Sequence, residues 1–172
     1  MPVSISREEA LNLIRESSKF SHALRVANMM KKLAIHFNEN QEEWEIVGLL
    51  HDLDYDHTIG SRQLHGIIAG EMLQGRISSL AIEAIKSHDY RTRIKPKTRL
   101  ARMLIACDAF DTLIDLMTKK EINITKIMIV QLMESWTIEK PWLKELIKYV
   151  EKESITLDTF LDYCLSVVEN NK

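Results

Sequence analysis

The residues best suited to chemistry in this chain are an adjacent pair, His51-Asp52, that closes the apolar run Ile46-Val47-Gly48-Leu49-Leu50. Burying an imidazole and a carboxylate side by side costs roughly 1–3 kcal/mol per unsatisfied group, and more for a charge. A bound cation is the natural partner for both. His22 upstream and His65, His88 and Asp108 downstream offer further ligands. Histidine, aspartate and water suit divalent ions such as Mn, Fe, Co, Ni or Zn, with Mg a harder alternative. Asp108 supports this reading independently. It sits in Leu104-Ile105-Ala106-Cys107-Asp108-Ala109-Phe110, the apolar centre of a long helical segment. Positions 101, 104, 105, 108 and 112 share one helix face, where a carboxylate needs a partner. Neighbouring side chains on a helix diverge by about 100°. His51 and Asp52 therefore reach one ion only if it lies between their directions or the helix stops there. The turn-forming Asp54-Tyr55-Asp56 favours a stop.

The elements that must position these groups read as all helical. Ser6 and Glu9 form a capping box for a first helix to about Glu16. A second helix is predicted from Phe20 to Phe37. A third, capped by Asn40 with Glu43, carries Trp44, Val47 and Leu50 up to His51-Asp52. Asp54 to Leu64 reads as a polar loop. Short helices follow over about His65–Leu73, stopping near Gly75, and about Ser79–Ser87. A polar segment, Asp89 to Lys97, precedes a long helix over about Thr98–Met117. Three more helices fit: Thr125–Trp136, Pro141–Lys152 with proline in the first turn, and Leu157–Val168. Only five glycines and three prolines in 172 residues leave few places for turns, which favours long helices over many short strands.

The order H…HD…H…H…D resembles the HD-domain superfamily of metal-dependent phosphohydrolases. His22-Ala23-Leu24-Arg25-Val26-Ala27 is similar to the family's first motif, some 29 residues before the HD pair. The resemblance implies an all-α HD-domain helical bundle with its core over about residues 20–117 and a helical C-terminal extension over about 118–172, in one domain. It also implies the ligand set. His22, His51, Asp52 and Asp108 hold one ion. His65 and His88, which simple one-metal HD phosphatases lack, hold a second, and Asp52 bridges the two. His65-Gly66-Ile67-Ile68-Ala69-Gly70 and Ser87-His88-Asp89 sit where two-metal HD proteins carry their extra histidines. Asp108-Ala109-Phe110-Asp111-Thr112-Leu113 is similar to the last motif of HD-GYP phosphodiesterases, yet the Gly-Tyr-Pro sequence is absent.

Hydrolysis of a phosphate ester or anhydride in a small, nucleotide-like substrate is the implied activity. Asp52, with Asp54, Asp56 or Asp111, would orient the nucleophile or protonate the leaving group. Two rival activities use the same ligand order: a di-iron HD oxygenase and a non-catalytic nucleotide-binding module. One departure matters. Many HD phosphodiesterases follow HD with a lysine two residues after the aspartate's neighbour; this chain reads Leu53-Asp54-Tyr55. Phosphate must be held elsewhere. The basic cluster Arg91, Arg93, Lys95, Lys97, Arg99 and Arg102 follows His88, and Arg91 and Arg93 are the expected substrate contacts, since guanidinium forks bind phosphate bidentately. His36, fourteen residues after His22, lies about 21 Å along the helix axis and cannot share its ion. His57 reads as a solvated loop residue.

A net charge of −2 argues against a general nucleic-acid binder. Cys107 and Cys164 lack CxxC spacing and read as reduced packing residues. Met1-Pro2-Val3-Ser4-Ile5-Ser6-Arg7-Glu8-Glu9 has no apolar signal core, and no apolar run approaches the ~18–20 residues that span a membrane. A cytoplasmic protein is expected, with a homodimer compatible with the sequence.

Overall fold

The computed structural model describes residues 5–170. The expectation drawn from Met1 to Ser4 lies outside the described residues. Among the described residues there are nine α-helices, three short 3-10 turns and no strand. The helices are α1 (Arg7–Ile14), α2 (Phe20–Phe37), α3 (Gln41–Leu50), α4 (Ile67–Met72), α5 (Ser79–Ser87), α6 (Arg99–Lys119), α7 (Lys126–Trp136), α8 (Pro141–Lys152) and α9 (Leu157–Glu169).

Local chemistry explains most of the ends. Ser6 accepts from the Glu9 amide while the Glu9 carboxylate accepts from Ser6 N–H, so the capping box is closed. Asn40, Ser78, Thr98, Thr125 and Thr156 each accept from an amide in the first turn of the helix they precede. α2 stops at Asn38, which takes the left-handed conformation at φ 56°. Three expected boundaries move by two residues, one of them the end of the long helix, which runs to Lys119 rather than Met117. The first helix ends at Ile14 rather than Glu16. The helix expected from His65 starts at Ile67, because Gly66 takes φ +84° and His65 is extended. The polar loop after the HD pair folds into 3-10 turns at Tyr55–His57 and Arg62–Leu64.

Seven consecutive residues of α3, Trp44 to Leu50, are buried, including the carboxylate-bearing Glu45, which Arg7 and Lys31 neutralise. α3 packs on α2, and α6 runs through the middle, touching α2, α5 and α8. The α2–α3 contact is unusually close at Gly48: a Cβ there would stand 2.5 Å from Ala27 Cα. The missing side chain lets two helices approach until His22 and His51 meet.

The C-terminal helices are fastened to this core. α9 packs on α2 and α8 packs on α6. Glu153, just past α8, accepts from both Arg99 and Arg102 with its carboxylate nearly buried. Two of the six residues of the basic cluster are thus structural. Cys107 and Cys164 are free thiols at full burial, as packing residues should be.

Gly48→Ala is expected to lower stability by about 1–3 kcal/mol through overpacking. Gly60→Ala, where an added Cβ meets nothing within 4 Å, should stay within about 0.5 kcal/mol of the parent. Urea midpoints followed by far-UV circular dichroism check this, and equal effects at the two sites would contradict the close-approach account.

Candidate metal centre

Four imidazoles meet at one place, and each is turned the same way. His22 Nδ1 donates to Asp111 Oδ2 at 2.7 Å, His51 Nδ1 to the Gly48 carbonyl at 2.7 Å, His65 Nδ1 to Asp54 Oδ1 at 2.7 Å and His88 Nδ1 to the Ile85 carbonyl at 2.7 Å. All four acceptors are carbonyl or carboxylate oxygens, so each Nδ1 must carry the hydrogen. In a neutral ring the lone pair then lies on Nε2. All four Nε2 atoms point inward: His22 and His51 stand 3.2 Å apart through them, and so do His65 and His88. Lone pairs facing each other at that distance repel unless a cation lies among them.

Asp52 stands between the two pairs with one oxygen turned to each. Its Oδ2 is 3.5 Å from both His22 Nε2 and His51 Nε2. Its Oδ1 is 2.9 Å from His65 Nε2 and 3.6 Å from His88 Nε2. Asp108 Oδ1 joins the first pair, 3.0 Å from His22 Nε2 and 3.9 Å from His51 Nε2. His22, His51 and Asp108 form a cluster with metal-ligand spacing, and so do His51, Asp52 and His88. A third such cluster, His22, Asp111 and Asp115, is already neutralised: Arg25 spans both Asp111 oxygens and reaches Asp115.

The charges follow from this crowding. Burial opposes a charge on His22, but hydrogen bonds to Asp108 and Asp111 outweigh it and raise the ring to about 10. His65 is likewise raised to about 9 against its burial, by Asp52 and Asp54. Burial wins at His51, which drops to about 4. Asp108 falls to about 2, because bonding from His22 overcomes its desolvation. Asp52 is held well below the usual carboxylate range by His51 and by hydrogen bonds from His65 and His88, against burial. In the metal-free chain, protons on His22 and His65 supply the positive charge that the donor set demands. The donors present, imidazole nitrogen and carboxylate oxygen, fit a divalent transition ion.

Every residue expected to bind metal is in this cluster: His22, His51, Asp52, His65, His88 and Asp108. Helix positions explain how. His51 and Asp52 lie just past the last residue of α3. His22 sits in the first turn of α2, His88 follows α5, and Asp108 is in mid-α6. His65 depends on Gly66, where a Cβ would meet the Ile85 carbonyl at 2.6 Å and His88 Nδ1 at 3.0 Å, besides the strained φ.

Asp54 and Asp111, expected among the proton-handling groups, stand elsewhere. Both are 0 % exposed behind the histidines. Asp54 holds His65 and also accepts from the amides of Gly66 and Ala69. Asp111 holds His22 and is saturated by Arg25. Their oxygens are engaged by these partners, and their hydrogen bonds fix the orientation of the two rings. Asp56 accepts from Ser18 on the surface and is likewise engaged. Arg25 was not singled out in the sequence. The available signal was a matched spacing: Arg25 is three residues after His22, as Asp111 is three after Asp108. His36 and His57 are exposed and apart from the cluster.

A cavity of about 600 Å³ opens onto Asp52, His65, His88 and Asp108. Arg91 and Arg93 both line it, as does Lys95. Arg91 is clamped by Asp89 in a two-pronged ion pair. Arg93, held at φ 62°, has no side-chain ion pair among the described residues. Lys97 turns away to Glu83. Sequence reasoning overlooked Lys19, which also lines the cavity and lies 4.4 Å from the centre of the Tyr55 ring.

An all-helical bundle that gathers four histidines and two aspartates around a shared carboxylate defines a metal-site protein of the HD type. The HD-domain family model matches residues 20–113, and the chain belongs to that family, a superfamily of metal-dependent hydrolases. No curated protein and no solved structure matches the chain. No helix among the described residues is long and apolar enough to cross a membrane.

Because His22 and His65 hold protons below about 10 and about 9, a metal must displace them at neutral pH. Manganese(II) affinity should therefore rise between about pH 6.5 and about pH 9, with protons released on binding. Titration calorimetry in buffers of different ionisation enthalpy reads both. A flat affinity with no proton release would show that these rings do not bind the ion through Nε2.

Proposed function

We propose that the chain is a phosphohydrolase that cleaves a phosphate ester or anhydride in a small, nucleotide-like substrate, using two divalent ions. The observation that carries this reading is Asp52, whose two oxygens face separate pairs of imidazole Nε2 atoms. His22, His51, Asp108 and Asp52 Oδ2 would hold one ion, and His65, His88 and Asp52 Oδ1 the other. When bound, such ions lower the pKa of a coordinated water from ~15.7 towards ~7 and neutralise phosphoryl oxygens.

The chain's own residues then bind and orient. The cavity beside the cluster accepts the substrate, and His88, Asp52 and Asp108 form its floor. Arg93 and Lys95 supply uncommitted positive charge for phosphate oxygens, and Lys19 supplies a cation near the position where many family members carry a lysine after HD. Tyr55, which stands there instead, has Lys19 near one side and Arg62 3.8 Å from its ring centre. The cation is thus delivered from a different part of the chain. Asp54 and Asp111 keep His65 and His22 in register, so that the ligands need not reorganise during turnover. A carboxylate–imidazole–site relay of this kind supports hydrolysis better than simple ligand storage, since it faces an open cavity lined with cations.

Asp52→Ala should abolish phosphate release and metal binding at both positions while far-UV helicity is retained. Wild-type protein should take up about two manganese ions per chain, and His88→Ala about one. Full phosphatase activity in Asp52→Ala would end this reading; one ion in the wild type would end its two-metal form.

Replacing Lys19 and Arg93 together by Ala should raise KM for a nucleotide on the order of 10–150-fold, the scale of one lost charge-assisted hydrogen bond. Metal stoichiometry should not change. Steady-state kinetics at low and high salt check this: an effect that survives salt marks direct phosphate contact, and one that vanishes marks long-range attraction alone. An unchanged KM at low salt would leave phosphate to the metal site.

A further inference from the structure

We propose that α8, which lies outside the residues that match the HD model, is the specificity wall of this site and selects substrates whose organic part is a flat aromatic ring bearing a hydrogen-bond donor. This rests on the phosphohydrolase reading above for its chemistry, but not for its geometry.

α8 carries two adjoining stripes. Leu143, Leu146 and Val150 are 0 % exposed and pack into the core. Trp142, Glu145 and Tyr149, spaced three and four residues apart, form the neighbouring stripe, and all three line the same cavity as Asp52 and His88. A surface helix would carry polar residues at those positions. Here two large aromatic rings flank a carboxylate. Trp142 is only half-buried, and no protein ring stacks on it among the described residues. Tyr149 is nearly buried at 7 % exposed, with Lys148 covering part of its ring. An unstacked tryptophan at a cavity wall offers a flat apolar face to a ligand.

The charges give the cavity a direction. The segment after His88 brings Arg93 and Lys95, neither of which has an acidic partner among the described residues. α8 brings Glu145 together with Lys148, which pairs with it at 3.5 Å and also lines the cavity, so that side carries no net positive charge while the segment after His88 does. A carboxylate repels phosphate and accepts from an N–H. Phosphate therefore belongs beside the histidines and Arg93, and the donor-bearing ring beside Glu145 and Trp142. The cavity's size agrees, since about 600 Å³ lies in the range of sites that enclose whole organic ligands rather than bare phosphate. A nucleotide with an amino-bearing base has this layout.

Adenosine monophosphate and ribose 5-phosphate, which lacks the base, are the two probes. Their dissociation constants are measured by calorimetry on metal-free protein, and their kcat/KM on the manganese-loaded protein. Wild type should prefer adenosine monophosphate in both. Trp142→Ala should shrink that preference on the order of tenfold, the scale of losing one base-stacking contact. Trp142→Phe should keep most of it, because the flat face remains. A folding defect would instead weaken both probes together and leave their ratio alone. A wild type with no preference, or a ratio untouched by Trp142→Ala, overturns the proposal. If the manganese-loaded wild type hydrolyses neither probe, the phosphohydrolase reading fails, and the ratio of dissociation constants still decides whether α8 reads the ring.

Discussion

Four imidazoles with their hydrogens fixed outward, and so their lone pairs fixed inward, are the constraint on which the rest of this molecule depends. Such an arrangement is unfavourable in an empty, neutral, low-dielectric site, because four Nε2 atoms and two carboxylates repel one another. It persists only where something positive fills the centre. In the metal-free chain the filling is protonic: His22 and His65 are raised to about 10 and about 9, while buried His51 is depressed to about 4. The sign of each contribution follows. The raised histidines stabilise the fold fully below their unfolded value near 6.5 and lose that contribution as pH rises through about 9 to 10. His51 contributes above about 6.5 and loses its contribution as pH falls through about 4, and the depressed Asp52 and Asp108 lose theirs below the ordinary carboxylate range. Between those limits the protons on His22 and His65 offset the charges of Asp52 and Asp108.

Holding the rings in place is the work of groups that never face the cavity. Two are backbone carbonyls at helix ends, Gly48 and Ile85, and two are carboxylates, Asp54 and Asp111. The carbonyls are available because each lies in the last turn of a helix, where the usual intrahelical acceptor role lapses. The carboxylates are themselves pinned, one by two amides and the other by Arg25. Two glycines set the spacing. Gly48 lets α3 close on α2, and Gly66 lets His65 lie against the end of α5. Stability and ligand geometry are therefore controlled by the same few backbone contacts.

Much of this was legible in the residues alone. The helices from Phe20–Phe37, Ser79–Ser87 and Pro141–Lys152 end where caps and apolar periodicity place them, because those signals are local. His51-Asp52 and Asp108 announced themselves as polar groups in apolar runs, and the family resemblance supplied His22, His65 and His88. The roles of Asp54 and Asp111 were not legible. A carboxylate beside a ligand can face substrate or stand behind a histidine, and only the packing of distant segments decides which. The same holds for the basic cluster: its composition is one run, but its members divide between Asp89, Glu83, Glu153 and the cavity according to neighbours far away in sequence. Lys19 was invisible for that reason, since nothing near Phe20 indicates that Tyr55 will fold over it.

The C-terminal helices show how one metal centre can be adapted without touching it. The candidate ligands and their supports lie between His22 and Asp111, essentially the segment that carries the family pattern. Changes there disturb a charge balance in which each group neutralises two or three others. α8 is joined to that core chiefly by apolar packing and by Glu153 against Arg99 and Arg102. Among its cavity-facing residues, Tyr149 is nearly buried and Trp142 packs partly against the core, so this face is anchored as well as open to the cavity. On the proposed reading, a fixed centre beside α8 separates the chemistry from the choice of what undergoes it. That separation is consistent with the physics of each part: the centre tolerates almost no displacement of its lone pairs, whereas a helix face lining a cavity need only fit what it meets.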